Sequence, residues 1–211
     1  MKKREIDSLF KNLSKTIKNP RSDLTYKNKF TLLVSVVLSA QCTDVNVNNV
    51  TKNIYPKYNK PEHFVKLGQK KIEKLIKSIG LFRNKAKSVY LLSKQLIEKH
   101  NGKVPNNFDD LYALSGVGRK TASVVLNEGF GLPTIAVDTH VFRVSNRTGL
   151  APGKNPDEVQ KKLYAVVPKK YLKKAGHTIL LHGRYTCKAR TPSCSTCVII
   201  KYCKYNGKEI G

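Results

Sequence analysis

The sequence of 211 residues predicts an all-α fold, and three observations lead to that prediction. Apolar residues recur at intervals of three and four along several segments, which is the spacing of one face of an α-helix. Prolines and glycines stand where predicted helices begin and end. No segment of the sequence combines the alternation of apolar and polar residues typical of a strand with a turn that would pair it to a second strand.

The first predicted element is the N-terminal segment MKKREIDSLFKNL, which suits an amphipathic helix or a short basic arm. No apolar stretch or small-residue cleavage site follows its positive charge, so a secretory signal is not predicted. An isolated helix must bury its apolar face against another element. We therefore expect this segment to pack against the C-terminal part of the chain.

The second element covers residues 30–40, which are apolar on every side and predict a fully buried helix. This run has about half of the ~20 residues that a membrane span requires, so no membrane-spanning helix is predicted. Without a span or a secretory signal, we expect a cytoplasmic protein in a reducing compartment.

Further helices are predicted from apolar spacing and from the residues at their ends. One pattern consists of Ile72, Leu75, Ile76 and Ile79 and stops at Gly80. The next consists of Ala86, Val89, Tyr90, Leu96 and Ile97 and is closed by Asn101 and Gly102. Pro61 and Pro156 occupy positions suited to the first turn of a helix, and Asn155 suits the cap before the second of them.

The charge of the chain is strongly unbalanced, since 40 Lys and Arg face 14 Asp and Glu and leave a net charge of +26. The fold itself does not need this excess, because repulsion between like charges lowers stability. A polyanionic partner explains the excess, and nucleic acid is the first candidate. A membrane surface is the alternative.

The segment LSGVGRKTA lies between two helical patterns and carries a glycine on each side of Val117. Gly116 and Gly118 permit a tight turn and a close approach of the backbone to a ligand. Backbone amides at the start of the following helix can hold a phosphate oxygen. The segment is therefore either a loop that binds the nucleic-acid backbone without reading bases or an ordinary turn between helices.

Two residues near this hairpin have side chains suited to catalysis. Lys120 lies in the first turn of the predicted helix, on the side opposite an apolar stripe. A neutral lysine amine is a nucleophile that can form a Schiff base, whereas a charged one merely neutralises phosphate. Asp138 precedes another helical pattern and is predicted to be its N-cap. Its carboxylate can also stabilise a developing cation or transfer a proton.

Four of the five cysteines form a cluster with the spacing C-x6-C-x2-C-x5-C: Cys187, Cys194, Cys197 and Cys203. In a reducing compartment such a cluster indicates a metal site rather than two disulfides. The spacing alone leaves structural zinc and an iron–sulfur cluster as alternatives. The loop after the first cysteine carries Lys188 and Arg190, which can contact phosphates. Cys42 lies outside the cluster and is predicted to be a small core residue.

The runs LSGVGRKTASVVLN and GLPTIAVDTHVFRVSNRTGLAPGK together resemble the signature of the helix-hairpin-helix/Gly-Pro-Asp DNA glycosylases of the iron–sulfur type, the endonuclease III family. The similarity extends over nearly the whole chain, including SAQCTD, LHGRYTC and the cysteine cluster. It implies two helical domains with an active-site cleft between them. The six-helix barrel with the helix-hairpin-helix would comprise residues 22–132, and the iron–sulfur cluster domain residues 1–21 and 133–211.

The resemblance also implies an activity and a cofactor. Lys120 would attack C1′ of a damaged nucleotide and Asp138 would assist, as in a bifunctional DNA glycosylase and AP lyase of base-excision repair. Such an enzyme removes oxidised or damaged pyrimidines through a Schiff base and cleaves 3′ to the abasic site by β-elimination. The implied partner is duplex DNA with damaged pyrimidines or abasic sites, bound by a monomer. The four cysteines would hold a [4Fe-4S] cluster.

The nucleotide must leave the base stack before a lysine can reach its sugar, and the gap must then be filled. In the resembling family the residues at the positions of Gln41 and Leu81 enter the duplex. By itself, the local sequence predicts Gln41 at the surface and Leu81 in the core. The other predicted DNA contacts are Gly116, Gly118, Arg119, Lys188 and Arg190, with Lys85 and Lys87 as further candidates for phosphate contacts.

Two other functions fit part of the sequence. One is a helix-hairpin-helix module that binds DNA without catalysis and contains a structural metal, and the other is an adenine-mismatch glycosylase. Binding alone does not require Lys120 together with Asp138. Relatives that only remove mispaired adenine lack the lysine. The pair therefore favours the bifunctional enzyme.

Overall fold

A computed structural model describes residues 1–208, and in that range the chain is helical, which confirms the predicted all-α class. The α-helices of the described range are α1 (Lys3–Thr16), α2 (Lys29–Leu38), α3 (Asp44–Ile54), α4 (Pro61–Leu75), α5 (Phe82–His100), α6 (Phe108–Tyr112), α7 (Arg119–Phe130), α8 (Thr139–Thr148), α9 (Pro156–Val166) and α10 (Lys169–Tyr185). A short 3-10 helix follows at Ile200–Tyr202. None of the described helices has both the length and the apolar character needed to cross a bilayer.

The helices belong to two compact units. The central unit is Asp23–Gly131 and contains α2 to α7. The terminal unit combines Met1–Ser22 with Leu132–Gly211, and its described part contains α1 and α8 to α10. Each unit has its own apolar core, as expected when a chain of this length divides into separately packed regions.

Helix α2 lies in the core of the central unit and packs against α3, α5 and α7. All of its residues from 30 to 38 are buried, which confirms the prediction of a helix that is apolar on every side. The helix ends at Leu38 instead of Ala40. The Ser39 hydroxyl donates to the Val36 carbonyl at 2.9 Å, and the chain turns there, which leaves Ala40 exposed.

Helix α4 begins and helix α5 ends where the sequence predicted, but the prediction that the pattern from Ile72 to Ile79 is one helix stopping at Gly80 is wrong, since α4 ends at Leu75. Pro61 is in the first turn of α4, and the left-handed residues Asn101 and Gly102 close α5. The Gly102 amide donates to the Leu96 carbonyl at 2.9 Å. Leu75, predicted on the buried face, is 40% exposed because α4 ends there and the following turn redirects the chain.

The terminal unit brings the first and last helices of the chain together. Helix α1 packs against α10, where the Phe10 ring stacks on the Tyr171 ring with centroids 5.3 Å apart. Asp7 on α1 forms an ion pair with Lys170 on α10 at 2.6 Å. These contacts confirm that the N-terminal segment is a helix that packs against the C-terminal part. Asn155 caps α9 by accepting from the Glu158 amide at 2.9 Å, as predicted.

Lys85 on α5 is a buried lysine, with 6% of its surface exposed. Its Nζ has no hydrogen-bond partner within the described range. Burial lowers the pKa of Lys85, and the nearby Cys42 partly opposes that effect. The expectation that Lys85 contacts phosphate is therefore wrong, because its amine does not reach the surface. Lys87 is exposed, and a phosphate contact by Lys87 stays a prediction.

We expect Lys85→Met to be more stable than the wild type at neutral pH. The pKa of Lys85 is lower in the folded protein than the 10.5 of an ordinary lysine. At pH values between these two pKa values, the folded state therefore binds fewer protons than the unfolded state. The free energy of unfolding of the wild type therefore rises with pH in that interval. Urea unfolding at pH 7 and pH 10 should show the advantage of the variant becoming smaller at the higher pH.

Lys87→Met provides the matched control, since it removes an exposed charge two residues away. It should show little change in stability at either pH. An advantage of Lys85→Met that is equal at pH 7 and pH 10 would contradict this account of the buried amine.

Candidate functional site

The turn between α6 and α7 depends on its glycines. Gly116 has φ +77°, and a Cβ placed there would lie 2.5 Å from Cβ of Ser88 on α5, so no other residue fits without a shift. Val117 between the glycines is buried and anchors the turn in the core. Gly118 is the N-cap of α7 and has open space where a side chain would lie. The start of α7 is therefore accessible to a ligand, as an anion site at a helix N-terminus requires.

Lys120 is exposed in the first turn of α7. The predicted apolar stripe of Ala122, Val125 and Leu126 is buried, and α7 packs against α2. A Cβ at Gly129 would already lie 3.0 Å from the Leu32 side chain, which shows how closely the two helices approach. The lysine thus extends from a helix whose position is set by core packing.

Arg119 lies beside an aromatic pair on α6. The Phe108 and Tyr112 rings stack with centroids 5.8 Å apart, and the Arg119 guanidinium is 5.8 Å from each ring centroid. Contacts of this kind contribute about 0.5–1 kcal/mol at exposed sites. They hold the Arg119 side chain next to the hairpin.

Gln41 and Leu81 lie in two loops of the central unit and share an unusual backbone conformation. Both are left-handed, with φ of 52° and 58°, although neither is glycine. Gln41 is exposed, as the local sequence predicted. The local expectation of a core position for Leu81 is wrong, since this side chain is 57% exposed. The two loops approach each other, because the Gln41 carbonyl oxygen is 4.0 Å from the position of a Cβ on Gly80.

Asp138 is the N-cap of α8, as predicted. Its Oδ1 accepts a hydrogen bond from the Val141 amide at 2.8 Å, and the residue is half-buried. His140 follows it and packs against α10, where a Cβ on Gly183 would lie 2.9 Å from the His140 Cβ. Its Nδ1 is 3.1 Å from a guanidinium nitrogen of Arg143. These contacts give His140 a role in the packing of α8 against α10.

Two arginines of α8, which the sequence reasoning missed, hold the segment that begins at Cys187. Arg143 donates to the Cys187 and Gly183 carbonyls at 3.0 and 2.8 Å. Arg147 donates to the Lys188 and Ala189 carbonyls at 2.6 and 2.7 Å. Their spacing of four places them on one face of the helix, and this was the available sequence signal. Lys188 and Arg190 remain exposed on the loop that these contacts fix.

The four clustered cysteines line one cavity in the terminal unit, and none of them forms a disulfide. Burial raises the pKa of the Cys197 and Cys203 thiols, and the neighbouring thiols of the cluster add to that effect. His182 lies in the same lining, with Nε2 3.7 Å from the Cys197 sulfur, and burial lowers its pKa to about 4.

The donor chemistry of this cavity, four thiols in a largely apolar lining, fits an iron–sulfur cluster. Among the described residues, no group of three or more His, Cys, Asp or Glu side chains is already arranged to hold a metal ion. Cys42 is separate from the cavity. It is half-buried at the edge of the central core, where it accepts a hydrogen bond from Asn46, so the expectation of a core position is only partly met.

The chain matches known protein families and structures over most of its length. The model of the HhH-GPD superfamily base excision DNA repair proteins matches residues 34–169. Endonuclease III of Rickettsia conorii is 52% identical over 200 residues, which are 95% of this chain and 95% of that protein. Endonuclease III of Escherichia coli K12 is 50% identical over 190 residues, covering 90% of each chain.

The structure is also similar to solved structures of DNA repair proteins. A trapped endonuclease III–DNA covalent intermediate, in an estranged-adenine complex, has 42% sequence identity and a TM-score of 0.91, and the match covers 97% of this chain and 96% of that one. A thermostable thymine-DNA glycosylase has 23% identity and a TM-score of 0.87, with 98% of both chains covered. The second similarity is evidence for the fold alone.

Proposed function

Because the chain belongs to the HhH-GPD superfamily of base excision DNA repair proteins, we propose that it is a bifunctional DNA glycosylase and AP lyase with Lys120 as its nucleophile. The enzyme removes oxidised or damaged pyrimidines from duplex DNA and cleaves the strand 3′ to the abasic site. The observation that carries the proposal is the exposed Lys120 directly behind the glycine turn. The covalent DNA intermediate of the similar endonuclease III supports a covalent route.

The chemistry proceeds in two stages. The Lys120 amine attacks C1′, and the bond between sugar and base breaks with its electron pair leaving on the base, which takes up a proton. The Asp138 carboxylate stabilises the positive charge that develops on the sugar. The C1′–O4′ bond then opens to give the Schiff base. Loss of a proton from C2′ expels the 3′ phosphate, and hydrolysis of the Schiff base frees Lys120.

Several features of the central unit support DNA binding. The glycine turn and the start of α7 suit a backbone phosphate, with Gly116 and Gly118 allowing close approach and Arg119 alongside. Gln41 and Leu81 fill the gap that the extruded nucleotide leaves. The Gln41 amide faces the base that has lost its partner, and the apolar Leu81 side chain keeps the neighbouring base pairs apart. In addition, the net charge of +26 of the whole chain attracts the DNA polyanion at long range.

The terminal unit supplies the remaining predicted contacts and the cofactor site. Cys187, Cys194, Cys197 and Cys203 would hold a [4Fe-4S] cluster, which cross-links the segments carrying them when it is bound. The contacts of Arg147 with the Lys188 and Ala189 carbonyls support a fixed loop that presents Lys188 and Arg190 to phosphates. We assign residues 22–132 to the barrel domain and residues 1–21 and 133–211 to the cluster domain. Equal amounts of iron and acid-labile sulfide in the purified protein would support the [4Fe-4S] cluster at the four cysteines, and stoichiometric zinc would contradict it.

Borohydride reduction on a duplex with one abasic site tests the activity. We expect a covalent protein–DNA adduct, because reduction converts the Schiff base into a stable amine. Without borohydride, the same duplex should be cut 3′ to the abasic site. A duplex with one oxidised pyrimidine should give both products, whereas the undamaged duplex should give neither. Tight binding to damaged duplex with no adduct and no cleavage would point instead to a DNA-binding module.

A further inference from the structure

We propose that Asn46 is a positioning residue that ties the loop of Gln41 to the loop of Leu81 and so sets their relative position for entry into the duplex. This inference rests on the proposed function, because it concerns how the DNA-inserting residues are held.

The geometry of the Asn46 side chain carries the inference. Its amide nitrogen donates to the Cys42 sulfur at 3.3 Å and to the Ser78 carbonyl at 3.2 Å. Cys42 follows Gln41 directly, and Ser78 lies three residues before Leu81. One side chain amide thus binds both loops. Asn46 is itself fixed at the start of α3, where its backbone amide donates to the N-cap Thr43 at 3.3 Å.

The backbone conformation of the two loops requires support from the surrounding structure. Gln41 and Leu81 are left-handed residues with a Cβ, a conformation that persists only where the surrounding structure imposes it. Each loop also has hydrogen bonds of its own. The Cys42 amide donates to the Ser39 carbonyl at 3.1 Å in the first loop, and the Ile79 amide donates to the Ile76 carbonyl at 2.9 Å in the second. Such contacts shape each loop separately. The Asn46 amide joins one loop to the other.

The chemical consequence concerns preorganisation. Entry of two side chains into one base step requires a fixed separation between them, and ordering them at the moment of binding reduces the affinity for the extruded state. Because the Asn46 amide already joins the loops, the Gln41 and Leu81 side chains have their relative position before the protein binds the duplex. Substrates that need no insertion, such as single-stranded DNA, should not benefit from this order.

The test compares Asn46→Ala with the wild type on two abasic substrates, a duplex and the corresponding single strand, by single-turnover borohydride trapping. We expect the rate on the duplex to fall by about tenfold, the typical effect of losing one or two hydrogen bonds. The rate on the single strand should change by less than about twofold. Cys42→Ala removes one of the two contacts and should produce a smaller reduction on the duplex. Asn49→Ala, at an exposed position of the same helix, is the matched control and should leave both rates unchanged.

A double-mutant comparison separates positioning from a general structural role. If Asn46 acts through the two inserted residues, Asn46→Ala should have little further effect in a Gln41→Ala/Leu81→Ala background. Equal slowing on both substrates, or effects that simply add, would overturn the inference while leaving the lyase activity intact. Failure of the wild type to form any adduct would instead overturn the proposed function, and this inference with it.

Discussion

Lys120→Gln is expected to lose the covalent adduct with abasic duplex DNA and the strand cleavage that follows from it. Glutamine retains a side chain of similar length but has no amine that can form a Schiff base. Removal of a nucleophile of this kind lowers the rate by about 10³-fold or more. Because Lys120 is exposed in the first turn of α7, the variant should keep the stability of the wild type.

The measurement is single-turnover trapping on the abasic duplex, together with the equilibrium affinity for the same duplex. Lys71→Gln is the matched control, since it removes one exposed lysine charge from α4 in the same unit. Both variants should weaken DNA binding only slightly, yet only Lys120→Gln should lose the adduct. An adduct formed by Lys120→Gln at the wild-type rate would show that another amine is the nucleophile.

Asp138→Asn should retain the fold and lose most of the glycosylase activity. The Asp138 side chain accepts a hydrogen bond from the Val141 amide, and asparagine caps helices about as well as aspartate. The variant therefore keeps the cap while removing the charge that would stabilise a cationic sugar. Loss of such assistance typically lowers the rate by about 10²- to 10⁴-fold.

Release of the damaged base from a duplex with one oxidised pyrimidine measures this effect, and thermal unfolding reports on the cap. Asp138→Ala is the informative comparison, because it removes both functions and should also cost about 1 kcal/mol of stability. Equal activity losses in the two variants, with destabilisation only in Asp138→Ala, would assign the loss to the charge. Full activity of Asp138→Asn would limit Asp138 to capping α8.

Residues whose environment is set by chain neighbours were predicted well. The cap at Asp138, the first-turn Pro61 and the left-handed stop at Asn101 depend on hydrogen bonds and backbone angles within a few residues. Burial of residues 30–38 followed from an unbroken apolar run, which has no polar face to present to water. The glycines of the hairpin were likewise evident from their types and spacing.

Residues whose environment depends on distant segments were predicted poorly or missed. Lys85 resembles any other lysine in the sequence, and only the packing around α5 buries its amine. Arg143 and Arg147 act on a segment about 40 residues further along the chain. The Asn46 amide binds Ser78, which is 32 residues away.

The amino-acid sequence by itself determined the helical class, the starts of α4, α8 and α9, the end of α5, the cysteine spacing and the candidates Lys120 and Asp138, because periodicity, capping and residue chemistry act locally. Only the tertiary structure decided that Leu81 is exposed, that Lys85 is buried and that one amide joins two loops. Those outcomes depend on which surfaces meet when helices pack, and the free energy of that packing is shared among residues far apart in the chain.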